Sequence, residues 1–285
     1  MVKRVAVIND LSGLGKCSLT AAIPVLSVMG VQACPIPTAI LTNQTGYDSY
    51  YCDDYTDKFK HYTNEWKKRD LTLDGIYTGF LGSAAQVEEI LHFCKEFRRE
   101  DTLLFVDPVM GDNGKVYDVY TPELGKQMHR LVTHADVITP NLTECCLLTG
   151  TDYAELTAYA SHADYLQRIK AMAASLFVYD IKTIVVTGII HQAESDTEPQ
   201  YYNLVVTKDG CNIVSSPIHG CSYSGTGDLM ASVVCAGIVR DDSATDSVQK
   251  AVRFLEAALI DTIKEAIPRN NGLNFEPYLS LLLND

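Results

Sequence analysis

The sequence predicts an α/β fold, a three-layer α/β/α sandwich built on a mostly parallel central sheet. Three observations predict it. Short apolar, β-branched runs alternate with helical patterns through the first two thirds of the chain. A hairpin signal with Asp209-Gly210 at its turn then breaks the alternation, and two long apolar-periodic stretches follow it. Continuous apolar strands alternating with helices indicate a parallel sheet covered on both faces, and right-handed crossovers place helices in layers on either side.

The runs read as strands are 4–8, 31–36, 75–78, 103–106, 137–138 and 183–187. Between them the helical patterns cover 17–29, 84–99, 122–132, 142–148 and 165–177. Residues 201–207 and 211–215, joined through Lys208-Asp209-Gly210, read as an antiparallel hairpin at the sheet edge. The polar stretch 191–200 carries Pro199 and reads as a loop. Helices are expected at 226–239 and 243–266, the second stopping ahead of Pro268. There is no internal repeat, no low-complexity tract and no insertion long enough for a large lid, so one domain spanning 1–285 is expected.

The chain has 285 residues, 47% hydrophobic and 21% charged, which is ordinary globular composition. A chain this long needs neither disulfides nor metal to hold a core. With 23 basic and 36 acidic residues the net charge is −13, and basic residues cluster only briefly, as at Lys67-Lys68-Arg69 and Arg98-Arg99. Such clusters read as solvated surface, which argues against a nucleic-acid partner. The nine cysteines are scattered and form no C-x-x-C pair, the pattern of reduced cytosolic thiols. No leader pattern opens the sequence and no apolar run approaches a membrane span, so a cytoplasmic protein without a membrane partner is expected.

The sharpest local feature is Ser224-Gly225-Thr226-Gly227-Asp228 at the start of an apolar helix. Glycine lets backbone approach an anion closely and adopt positive φ. The helix start supplies unpaired N–H groups and the positive end of the dipole. Together they suit a transferring phosphoryl group, and Asp228 in the first turn could take a proton from an attacking hydroxyl. Alone, the same aspartate reads equally well as a carboxylate complementing the helix dipole.

Asp107, Thr139 and Thr187 each end a predicted strand, and in a parallel sheet such ends share the edge where ligands bind. Asp112 lies just beyond Asp107, and Glu144 opens the helix after Thr139. Oxygen groups gathered near phosphates suit Mg²⁺. Individually, Asp107 could be a turn residue, and Thr139 and Glu144 could be helix caps.

Taken together, Gly225-Thr226-Gly227-Asp228, Asp107-Pro108-Val109-Met110-Gly111-Asp112, Thr139-Pro140-Asn141, Glu144 and Asn43-Gln44-Thr45-Gly46-Tyr47 resemble the pyridoxal kinases of the ribokinase-like superfamily, over essentially the whole chain and in the family's order. The resemblance implies ATP-dependent phosphorylation of the 5′-hydroxymethyl group of pyridoxal, pyridoxamine or pyridoxine, a vitamin B6 salvage reaction yielding the 5′-phosphate. It implies Asp228 as base and Gly225, Thr226 and Gly227 as the anion hole. ATP would meet Asp107, Asn141, Thr187, Thr226 and Gly227. Asp112 and Glu144 would hold Mg²⁺, partly through water. Asp107, Thr139 and Thr187 would line a site for K⁺ or Na⁺. Ser12, Thr45 and Phe80 would contact the pyridine, with Leu19 and Leu41 as apolar walls. A homodimer is implied as well. Read without the family, Phe80 could be core packing and Ser12 a helix cap.

One segment departs from the commonest pyridoxal kinase pattern. Asp10-Leu11-Ser12-Gly13 is closer to the Asp-x-Ser-Gly of hydroxymethylpyrimidine kinases, which act on a similarly flat ring bearing a hydroxymethyl arm. Those kinases usually vary at the catalytic position, whereas Asp228 and Thr45-Gly46-Tyr47 favour the pyridine. A hydroxymethylpyrimidine (phosphate) kinase of thiamine synthesis is therefore the alternative. A non-catalytic B6-binding protein and a ribokinase-type sugar kinase stand further off. Gly13-Leu14-Gly15-Lys16-Cys17-Ser18 imitates a P-loop, but Asp10 and Cys17 stand where the motif needs other residues. Cys145-Cys146 reads as a coincidence of helix faces, and the seven histidines lack metal spacing. Cys221, shortly before the anion hole, is placed where it could meet the aldehyde of pyridoxal.

Overall fold

The computed structural model describes residues 2–160, 163–193, 196–220 and 222–283. In chain order the strands and α-helices are β1 (Arg4–Ser12), α1 (Ser18–Val28), β2 (Gln32–Leu41), β3 (Cys52–Asp54), α2 (Thr56–Lys67), β4 (Gly75–Thr78), α3 (Ala84–Phe97), β5 (Leu103–Val106), β6 (Gly111–Asp112), β7 (Lys115–Val116), α4 (Pro122–Val132), β8 (Val137–Ile138), α5 (Leu142–Thr149), α6 (Tyr153–Thr157), α7 (Tyr165–Ala174), β9 (Thr183–His191), β10 (Gln200–Thr207), β11 (Gly210–Pro217), α8 (Thr226–Val239) and α9 (Ala244–Lys264). Nine strands form one mixed sheet in the order β11-β10-β9-β8-β5-β4-β1-β2-β3, and β6 and β7 pair separately. The expected mostly parallel sheet with helices on both sides and an antiparallel edge hairpin is the fold observed.

The chain divides into two compact units, Met1–Phe105 with His219–Asp285, and Val106–Ile218. In the first, β1 runs parallel to both β2 and β4. Val5 through Ile8 are fully enclosed, as a strand covered on both faces must be. β2 carries Pro35 and Pro37, which pair only with β1, because β3 meets β2 no earlier than Ala39. Proline is tolerated where one side of a strand is unpaired. The register between β1 and β2 shifts between Asn9 and Leu11. That irregularity departs from strict alternation, and Asn9, Asp10 and Ser12 are all buried. Helix α8 is buried almost throughout from Leu229 to Val239 and packs on α1 and α9.

In the second unit β8 and β9 pair in parallel, and β10 pairs antiparallel with both β9 and β11. Thr187 was expected to end its strand, but β9 continues to His191. The reason is local: Gly188 adopts φ 68°, and the register of β9 against β10 shifts at this level. A bulge lets the strand resume beyond a left-handed residue.

Five further elements were absent from the sequence reading, among them the two-residue strands β6 and β7. β3 has only three residues, α2 buries only Phe59 and Thr63 of its twelve, and α6 has five residues. Elsewhere the expected ends agree with the structure to within a few residues, except that β1 and β2 extend further, to Ser12 and Leu41.

Candidate active site

The first unit assembles the candidate base and anion hole. Gly225 is the N-cap of α8 at φ 82°. A Cβ there would stand 2.2 Å from the Lys16 carbonyl oxygen, so both conformation and space require glycine. With no capping side chain, the first N–H groups of α8 are left to a ligand or water. Gly227 has open space where its Cβ would be, with nothing within 4 Å. The Thr226 hydroxyl donates to the Tyr223 carbonyl at 3.1 Å, so its side chain braces the turn and its N–H remains at the helix start.

Asp228 follows in the first turn, partly buried. Its Oδ1 accepts from Asn9 Nδ2 at 3.2 Å. The Ser18 backbone N–H is a second donor to the carboxylate. Ser18 itself sits at φ 52°, one of several left-handed residues in the 15–18 turn. Burial pushes the Asp228 carboxyl up to about 6, and the nearby Asp10 charge pushes the same way; the Ser18 and Asn9 donors oppose them. An acid near neutrality is suited to accepting a proton and releasing it again. Asp10 is 5% exposed, and burial raises its carboxyl too, against hydrogen bonds from Ser18 and Ser12. Burial, reinforced by Asp228 and Asp10, also raises the Cys17 thiol, which keeps its proton.

The predicted acceptor residues gather around the same strand ends. Ser12 is 1% exposed and its hydroxyl donates to Asp10 Oδ2 at 2.8 Å; it caps no helix. Ser12 is the register partner of Leu41. Phe80, half-buried, donates its N–H to Asn9 Oδ1 at 2.8 Å, and its carbonyl accepts from the Thr38 hydroxyl at 3.0 Å. Leu19 and Leu41 are 1% and 3% exposed, enclosed in the core. Thr45 is exposed, on a connection that its neighbours anchor. Gln44 Nε2 donates to Ser224 Oγ at 3.2 Å and to the Asn270 carbonyl at 3.1 Å, and the Tyr47 hydroxyl donates to Asn271 Oδ1 at 2.7 Å.

The second unit assembles the candidate cation and nucleotide residues. The Thr139 hydroxyl donates to Asp107 Oδ1 at 2.9 Å, with both residues buried. The Thr187 N–H donates to the Pro140 carbonyl at 3.0 Å, and Thr187 and Asn141 form a parallel bridge. Asn141 and Glu144 form a complete capping box on α5. Glu144 Oε2 accepts from the Asn141 N–H at 2.8 Å and Oε1 from the Met110 N–H at 3.1 Å. The Asn141 amide also donates to the Gly111 carbonyl at 2.8 Å. Burial, together with the Asp107 charge, lifts the Glu144 carboxyl well above the usual range. The capping role read from sequence and a place in the polar cluster thus coincide in one residue.

Asp112 stands on β6, where both its oxygens accept from Asn113 at 2.9 Å. Among the described residues no three His, Cys, Asp or Glu side chains gather at metal-binding distances. The cluster is oxygen-only and has one strongly proton-hungry carboxylate, which fits a hard, hydrated cation held partly through water, and not a closed cage of carboxylates. A cavity of about 290 Å³ in this unit, lined by Met110, Tyr120, Lys126 and His129 among others, touches none of the predicted site residues.

Sequence reasoning assigned no role to Asn9, Asp10, Ser18 or Gln44. The available signal was Asn9-Asp10 at the end of an apolar strand, where two buried polar residues side by side demand partners. Cys221 and His162 lie outside the described residues.

Comparison with known proteins places this arrangement. The family model described as phosphomethylpyrimidine kinase matches residues 15–271. A candidate phosphomethylpyrimidine kinase from Bacteroides thetaiotaomicron, crystallised with pyridoxal, is 34% identical, covers 99% of this chain and 96% of its own, and superposes with a TM-score of 0.90. The pyridoxal kinase of Leishmania donovani, in complex with ADP and pyridoxamine, is 25% identical over 98% of this chain and 95% of its own, with a TM-score of 0.77. The pyridoxal kinase of Dictyostelium discoideum is 26% identical over 90% of this chain and 84% of its own length.

Proposed function

The chain belongs to the phosphomethylpyrimidine kinase family, and from that premise we propose that it transfers the γ-phosphoryl group of ATP to the 5′-hydroxymethyl group of pyridoxal, pyridoxamine or pyridoxine. One observation carries the chemistry: a carboxyl near pKa 6, steered by two N–H donors, stands in the first turn of a helix whose N-terminus no side chain caps. Pyridoxal and pyridoxamine in the related structures support the choice of acceptor, and ADP supports the donor.

The Asp228 carboxylate takes the hydroxyl proton as the acceptor oxygen bonds to the γ-phosphorus. The bond from that phosphorus to the β,γ-bridging oxygen breaks, and its electron pair leaves with ADP. The N–H groups of Gly225, Thr226 and Gly227 face the charge on the moving phosphoryl group. Such donors are worth on the order of 3 kcal/mol when they face developing charge. The acceptor ring lies against Phe80, with Ser12 and Thr45 as polar anchors. Asn141 and Thr187 meet the nucleotide. Asp112 and Glu144 would hold Mg²⁺, partly through water, and Asp107, Thr139 and Thr187 a K⁺ or Na⁺ ion. These cations, when bound, neutralise charge on the phosphates.

Residues 1–285 act as one kinase domain. The eight described cysteines are free thiols, in keeping with the reducing cytoplasm, and a homodimer rests on the family resemblance. No helix among the described residues is long and apolar enough to cross a membrane.

The second reading, a hydroxymethylpyrimidine kinase, draws on Asp10-Leu11-Ser12-Gly13 and on the name of the matching family model. An ADP-release assay over pyridoxal, pyridoxamine, pyridoxine and hydroxymethylpyrimidine, with mass detection of the phosphorylated product, separates the two. Turnover on the pyridines at least tenfold above that on the pyrimidine is expected. The reverse order replaces the first reading with the second.

A further inference from the structure

The amide of Asn9 is completely enclosed, and every polar atom it has is used. Its Oδ1 accepts from two backbone donors, the Asp10 N–H at 3.0 Å and the Phe80 N–H at 2.8 Å. An amide has one oxygen and one NH₂. With the oxygen fixed by two backbone N–H groups, the NH₂ has to face Asp228, where Nδ2 lies 3.2 Å from Oδ1. Gly79 lets this happen: a Cβ there would stand 2.3 Å from Asn9 Nδ2 and 2.6 Å from Cγ. A buried polar group held this firmly specifies one arrangement of its neighbours.

We infer that Asn9 is the positioning residue of the transfer reaction, orienting the Asp228 carboxylate through its Oδ1 and tying that base to the Phe80 backbone. Oδ1 always faces an N–H, so a proton on it would collide with the Asn9 donor. Because the same amide grips Phe80, the base and the aromatic ring proposed to seat the acceptor share one rigid link. A misplacement of about 1 Å at a reacting group can cost on the order of a hundredfold in rate, which gives such a link its use.

The inference rests on the phosphoryl-transfer reading above and deepens it. Among the described residues, the groups facing the Asp228 carboxylate are Asn9 and Asp10 from β1, and Cys17 and Ser18 from the entry to α1. Lys16 belongs to the same turn, but its ammonium is engaged by Asn274 Oδ1 at 3.0 Å and Glu276 Oε2 at 2.8 Å. Asn9 is therefore, among the described residues, the one side-chain amide on the base, and replacing it changes the proton affinity of Asp228 in a readable direction.

The test is the pH profile of kcat/KM for the B6 acceptor in the wild type, Asn9→Asp and Gly79→Ala. Asn9→Asp keeps the shape and both backbone acceptor bonds but turns the donor into a second carboxylate, so the pair titrates with a raised upper value. The acid limb should move up by about one pH unit or more. Turnover should fall at least tenfold near pH 7 and partly recover at alkaline pH, with the KM for ATP within twofold of wild type. Gly79→Ala leaves the amide in place chemically but pushes it off Oδ1, and should move the limb the same way by less; it reads the claim if Asn9→Asp does not fold. Titration of the acceptor itself is common to all profiles and cancels in the ratio to wild type. A folded variant that loses turnover with its acid limb unmoved makes Asn9 mere framework and overturns the inference. Absence of phosphorylated product from the wild type would instead bring down the phosphoryl-transfer reading, and this inference with it.

Discussion

The two glycines at the head of α8 should respond to the same substitution in opposite ways. Gly225 sits at φ 82°, and its Cβ would lie 2.2 Å from the Lys16 carbonyl oxygen and 3.2 Å from the Cys17 Cα. The left-handed conformation alone costs an alanine about 1–2 kcal/mol. The clash is with backbone, which has to move, and adds on the order of 1–3 kcal/mol. At about 2–4 °C per kcal/mol for a chain of this class, Gly225→Ala should lower Tm by roughly 5–15 °C. Gly227, by contrast, lies inside the first turn with nothing within 4 Å of an added Cβ. There alanine is the better helix former by up to about 1 kcal/mol, so Gly227→Ala should leave Tm unchanged or raise it by about 2–4 °C. Yet its methyl enters the space assigned to the phosphoryl group, and kcat/KM for ATP should fall at least tenfold. Differential scanning fluorimetry and the ADP-release assay on both variants give the readings. A Gly227→Ala protein with wild-type turnover would refute the assignment of that helix end to the anion.

Two further outcomes follow from the buried carboxyls. Asp228 is held near pKa 6 in the fold against an ordinary value of 3.8. A raised carboxyl favours the folded state fully below about pH 4, and that contribution is lost as pH rises through about 6. Above that range the ionised group is a liability of up to about 3 kcal/mol, less for the part of it that water reaches. Asp228→Asn should therefore melt higher than wild type at pH 8, with the gap closing toward pH 4; a lower melting point at pH 8 would contradict this. In Glu144→Gln, one of the two oxygens that accept the Asn141 and Met110 N–H groups becomes an NH₂ facing a donor. A buried donor left unmet costs about 1–3 kcal/mol, so Tm should drop by several degrees, and an unchanged Tm would show that the capping box carries little.

Much of this was legible in the sequence, where local chemistry and long-range requirement agreed. The Gly225–Asp228 turn announces a helix start, which the structure has at Thr226. Apolar runs such as residues 4–8 and 183–187 are unambiguous because a strand buried on both faces cannot alternate. α2 was illegible because a helix that buries only Phe59 and Thr63 shows no apolar stripe. Thr187 bridges Asn141, but it does not end its strand as expected, since Gly188 interrupts β9 without ending it. The role of Asn9 depends on the irregular end of β1 and on the bare Cα of Gly79, and neither is visible in a pattern of residue types. Glu144 was read either as a cap or as a site residue; the alternatives were compatible from the start, because a carboxylate bonded through two backbone donors still brings its charge to the end of α5.

The central claim is that the carboxylate of Asp228 removes the acceptor's proton at the uncapped head of α8. Single-turnover phosphorylation of pyridoxal by Asp228→Asn, measured alongside the equilibrium dissociation constant for ATP, tests it most directly. The account predicts a fall in the phosphorylation rate of about 10²–10⁴ with ATP binding within a few-fold of wild type. A variant that phosphorylates pyridoxal at the wild-type rate would contradict it.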